Sequence, residues 1–144
     1  MPAIYVIAAV LVLLFLIGAY RSMGAGASTD EDPKAVLVAV LASTDEAVTS
    51  LAAASAVDGD TDRGVRRRLD GCAQALERIA ATPVDESLDQ ARSVLELAVD
   101  ELSWSARLAE TPGYARDPGL REAVLGLRGH AKTNLATAHT LLDA

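Results

Sequence analysis

The chain has 144 residues, room for one domain and a short appendage. Apolar residues make up 51% of it but aromatic ones only 3%, and the predominance of Ala, Val and Leu favours helices that approach one another closely. A formal charge of −7 and a pI near 4.7 disfavour nucleic acid and anionic lipid as partners of the protein as a whole. The single cysteine, Cys72, rules out an internal disulfide and a Cys-rich metal cluster.

Residues 2–20 carry no charged side chain, and the run IYVIAAVLVLLFLIGAY is long enough for a hydrocarbon core that takes about 20 residues of helix. A secretory signal is the rival reading, because Ala25-Gly26-Ala27 has the small-x-small spacing of a cleavage site. Nothing basic precedes the run, the run exceeds the usual apolar region of a signal, and Arg21 lies between it and Ala25. Residues 1–21 are therefore predicted to be a transmembrane anchor helix, and 22–32 a flexible Gly/Ala/Ser and acidic tether. Arg21 and Lys34 both follow the span, which favours an N-terminus outside a bacterial-type cell membrane and a domain in the cytoplasm. An extracytoplasmic domain is the alternative.

Beyond the tether, Asp32-Pro33, Thr82-Pro83 and Asp117-Pro118 each set a capping side chain before a proline suited to the first helical position. The Asp/Gly-rich DGDTDRG supplies a fourth start. The expected helices run near 33–57, 62–81, 83–110 and 118–142. Each carries one apolar stripe at about 100° per residue, as in Val65, Leu69, Cys72, Leu76 and Ile79 of the second. The fold class expected is all-α: a single N-terminal transmembrane helix followed by an antiparallel up-and-down four-helix bundle over 33–144.

Asp58, Asp60 and Asp62 alternate as at the start of a calcium loop, but Arg63 stands where the sharp turn wants Gly and Leu69 where a bidentate acid belongs. An Asp-rich helix cap is the better reading. Arg63, Arg66, Arg67 and Arg68 form a candidate docking patch, weakened by Asp58, Asp60, Asp62 and Asp70 close by and by the helix-surface spacing of Asp62 and Arg66. His130 and His139 lie nine apart and point in opposite directions on one helix, so they cannot share a metal; His139 suits a helix C-terminus. Cys72 behaves as a small core residue, and Asp45-Glu46 and Asp100-Glu101 read as solvated surface. No catalytic motif, cofactor motif or metal site is apparent, so the chain is read as a non-enzyme.

The third helix stands apart. With Leu88 at 0°, its core stripe of Leu95, Val99 and Leu102 spans about 320° to 20°, whereas Leu97, Trp104 and Leu108 fall near 180°, with Val94 near 240°. A corner helix needs only one apolar stripe, so Leu97, Trp104, Leu108 and Val94 are the candidate protein interface. The function expected is a membrane-anchored helical module, held in lipid through residues 2–20, that recruits protein partners or self-associates through helix three. The alternative is a sensor or carrier that binds a small apolar ligand in the bundle core, with Asn134 as the one polar group that could be stranded there.

Overall fold

The computed structural model describes residues 31–53 and 59–144, with the backbone alone for 59–62. The expected anchor over residues 2–20, most of the tether, and Asp58 with the side chains of Asp60 and Asp62 lie outside the described residues. Four helices follow: α1 (Pro33–Ala53), α2 (Gly59–Ile79), α3 (Glu86–Ala109) and α4 (Pro118–Asp143), with a single 3₁₀ turn (Tyr114–Arg116) before α4.

Two of the predicted starts form as the sequence implies. Asp32 Oδ1 accepts from the Lys34 amide at 3.1 Å beside Pro33. Asp117 Oδ1 accepts from Gly119 and Leu120 at 2.8 and 3.2 Å, with Pro118 in the first turn. The third start does not. Thr82 donates its amide to the Ile79 carbonyl and closes the end of α2, and α3 begins three residues beyond Pro83. Its cap is Asp85, in extended backbone, whose Oδ1 accepts from the Leu88 amide at 2.9 Å and the Ser87 hydroxyl at 2.8 Å. The Leu88 amide, and after it the Ser87 hydroxyl, hold the Asp85 carboxyl below its ordinary pKa. The cap is therefore complete above the ordinary Asp range and is lost as pH falls through the lowered value.

Cross-helix partners establish the direction of each helix, because along every antiparallel pair one number rises as the other falls. Glu46 meets Arg68 while Thr44 lies beside Cys72, relating α1 to α2. Arg66 meets Glu110 while Arg92 reaches the Ala80 carbonyl, relating α2 to α3. Asp45 meets His139 while Leu51 meets Arg128, relating α1 to α4. The result is an up-and-down bundle with α2 and α4 at opposite corners. Asp32–Ala144 form one compact unit, whose core includes Leu37, Leu69, Leu76, Leu95, Val99 and Leu102.

The most extensive contact is between α3 and α4. Ala91, Ala98, Ala131 and Ala138 are all fully buried, and the pairing of Glu101 with Asn134 sets Ala98 level with Ala138 one turn away. Small residues at that level let the two backbones approach. Among the described helices α1 is long and apolar enough to cross a membrane, with a mean hydropathy of 1.5. In the bundle its Val36, Leu37, Val40, Leu41, Ala47 and Leu51 belong to the core.

The α3–α4 connection turns at Thr111-Pro112-Gly113-Tyr114. The Tyr114 amide donates to the Thr111 carbonyl at 3.0 Å, and Gly113 has φ 88° and ψ −2°, the geometry of the third residue of a type II turn. Gly113→Ala is expected to destabilise the fold by about 1–2 kcal/mol, the cost of a Cβ in the left-handed region. Gly71 is the opposite case, a mid-helix glycine whose added Cβ meets nothing within 4 Å. Gly71→Ala is expected to stabilise by about 0.5–1 kcal/mol. Urea titrations of the two variants, compared with the parent, check both signs.

Candidate functional site

On α3 the buried residues are Ala91, Leu95, Ala98, Val99, Leu102, Ser105 and Ala106, an arc of about 120° that is wider than the leucine and valine positions alone imply. On the far side Leu97 and Trp104 remain 55% and 56% exposed. They lie seven residues apart, two turns along one face. The Arg107 guanidinium sits 5.4 Å from the Trp104 ring centroid, a cation–π contact from the next turn that covers part of the ring. The other two candidates differ: Val94 packs against the core from its edge, and Leu108 is half-buried. The outward apolar face is thus Leu97 and Trp104, with Leu108 at its margin.

The four arginines of α2 do not form one patch. Arg66 Nη1 meets Glu110 at 2.6 Å at the end of α3, and Arg68 Nη1 meets Glu46 at 2.8 Å on α1. Residues 66 and 68 point about 200° apart on a helix, so each reaches a different neighbour. Arg63 and Arg67, four apart, share the exposed face. Both ion pairs are solvated and contribute about 0–1 kcal/mol each. Their acids come from other helices, whereas the sequence suggested Asp62 for Arg66.

The histidines diverge as expected, though with partners of their own. His139 Nε2 lies 2.7 Å from Asp45 Oδ2 on α1. His130 Nδ1 lies 3.8 Å from Glu101 Oε1 on α3. Asn134 is not stranded, since its Nδ2 donates to Glu101 Oε2 at 2.9 Å. Glu101, read from sequence as solvated surface, is instead a half-buried acceptor between α3 and α4. Among the described residues, the buried polar side chains Thr44 and Ser105 return their hydroxyls to carbonyls of their own helices, Val40 at 2.7 Å and Leu102 at 2.8 Å.

Cys72 is a buried thiol 3.8 Å from the Thr44 hydroxyl. Burial, the larger influence, pushes its pKa above the ordinary 9.0, while the Thr44 contact and the Arg68 charge pull the other way. The unfolded thiol ionises first as pH rises, so this group's contribution to stability is full below the ordinary thiol pKa and is lost as pH climbs toward the raised one. Cys72 is expected to resist a thiol reagent at pH 8 until urea unfolds the bundle. Cys72→Ala should flatten part of the fall in urea midpoint between pH 7 and pH 10.

No protein-family model matches the chain, and no curated protein or solved structure matches it either.

Proposed function

We propose that this protein is a helical interaction module, anchored in the cell membrane by residues 2–20, that recruits a protein partner through the outer face of α3. The observation that carries the reading is the exposure of Leu97 and Trp104, 55% and 56%, on a helix whose opposite side is fully committed to the core. Tryptophan is among the residues enriched in interface anchors, and covering it together with an exposed leucine removes apolar surface from water. Neither residue belongs to the buried arc of α3.

Membrane attachment rests on the uncharged run before Arg21, and the cytoplasmic side on Arg21 and Lys34 after it. A fluorescent reporter that matures only in the cytoplasm, joined after Ala144, is expected to glow. Active alkaline phosphatase fusions with dark fluorescent ones would place the domain on the other side. The interaction itself is tested by photo-crosslinking in membranes that hold the full chain. A photoreactive residue at position 97 is expected to give one discrete adduct and one at Arg63 none. Equal labelling from both positions would remove the case for α3, and an adduct of twice the chain mass would identify the partner as a second copy.

A further inference from the structure

A groove of about 310 Å³ opens between the last turns of α1 and the middle of α4, lined by Val48, Leu51 and Ala52 from α1, Leu102 from α3, and Leu125, Arg128, Gly129 and Lys132 from α4. Its size is at the lower end of small-molecule sites. The charge of this lining runs against that of the chain. In a protein of net charge −7, the groove carries two cations and, among the described residues, no carboxylate. Arg128 and Lys132 stand four residues apart on one helix face, a like-charge arrangement that is unfavourable without a counter-charge. Among the described residues no acid pairs with either.

Arg128 is held in place by its Nη1, which donates to the Leu51 carbonyl in the last turn of α1 at 3.4 Å. Its Nε is buried and has no hydrogen-bond partner, so one donor of a charged group is withdrawn from water with nothing gained in return. Beside this cation lies the most exposed large apolar side chain among the described residues, Leu125 at 68%, above the fully buried Leu102. A guanidinium, a second cation one turn away and an apolar wall with an uncovered leucine describe a molecule charged at one end and oily at the other. Guanidinium presents planar N–H donors that match the two oxygens of a carboxylate.

We infer that the α1–α4 groove binds an amphiphilic monocarboxylate, its head on Arg128 and Lys132 and its alkyl chain along Val48, Leu102 and Leu125. The site is separate from the Leu97–Trp104 face and does not depend on what that face binds. Gly129 is one of the groove's lining residues and has nothing within 4 Å of an added Cβ, so a side chain can be introduced there without a clash at its Cβ.

The test is a methyl-detected NMR titration of the full chain in nanodiscs of zwitterionic lipid, with octanoate as the probe and octylamine as its charge-reversed control. Octanoate is expected to shift the Val48, Leu102 and Leu125 methyls saturably, and octylamine to leave them in place. Lys132→Gln, at an exposed residue whose loss leaves the fold intact, and Arg128→Gln should each weaken octanoate by about tenfold or more, the loss of one charge-assisted bond. Gly129→Leu should block it, and Trp104→Ala should leave it unchanged. Equal shifts with octylamine, no saturable shift, or full octanoate affinity in Lys132→Gln with Gly129→Leu would overturn the inference.

Discussion

Leu95→Ala is expected to lower the stability of the bundle by about 2–5 kcal/mol, while Leu97→Ala, two residues further on, changes it by less than about 0.5 kcal/mol. The two leucines have the same chemistry and the same helix. They differ in direction: two residues rotate the side chain by about 200°, so Leu95 is fully buried while Leu97 is 55% exposed. Removing the Leu95 side chain leaves a cavity among packed neighbours, and the loss includes both transfer and missing contacts. For a domain whose total stability is about 5–15 kcal/mol, this is a large fraction, and the melting temperature should fall by roughly 10 °C or more. Ala98→Leu probes the same wall from the other direction, because the added methylenes have no space where α3 and α4 approach, at a cost of about 1–3 kcal/mol. Thermal melts followed by helical circular dichroism, on the full chain in nanodiscs, measure all three. If Leu95→Ala and Leu97→Ala cost the same, α3 does not present one side to the core.

That contrast marks how far the sequence could be read. Strong local signals were legible: Val65, Leu69, Cys72, Leu76 and Ile79 repeat at helical spacing, and all five are buried. Asp117-Pro118 caps α4 because cap and proline act within a single turn. Thr82-Pro83 carries the same pattern and fails, since the Asp85 carboxylate three residues on meets the Leu88 amide and sets a later start. A pattern of two residues cannot rank two competing caps. The alanines of α3 were illegible for another reason. Ala91, Ala98 and Ala106 are weakly apolar and fit either side of a helix, so only the approach of α4 makes them core. The ion pairs were out of reach altogether: Arg66 and Glu110 are 44 residues apart, and nothing local selects Glu110 over the nearer Asp62. Glu101 has the local pattern of a surface residue, because its half-burial depends on Asn134 of α4. The outward face of α3 was legible in Leu97 and Trp104, which lie opposite the core arc. Its edges were less so, because whether Val94 packs inward depends on how the neighbouring helices sit.

Trp104→Ala combined with Leu97→Ser is expected to abolish partner capture while the bundle keeps its helical signal and cooperative melting. Both side chains are more than half exposed, and substitutions at such positions move stability by about 0.5 kcal/mol or less, with a further small loss from the Arg107 contact on the ring. The interface is affected far more, because truncating a tryptophan anchor costs about 2 kcal/mol or more, an affinity loss of roughly thirtyfold. Trp104 is the only tryptophan in the chain, so its emission reports this face directly. In the unbound protein it should resemble a solvated indole, and capture of the partner should shift it to the blue as water is excluded. Arg107→Ala separates the two contributions: it uncovers the ring, leaves the leucine, and should preserve capture. A double variant that loses several kcal/mol of stability would make Leu97 and Trp104 part of the packing, and an emission already blue-shifted in the unbound protein would say the same. A double variant that stays folded and still captures the partner, or a parent whose Trp104 emission is unchanged when the partner binds, would instead move the interface off α3.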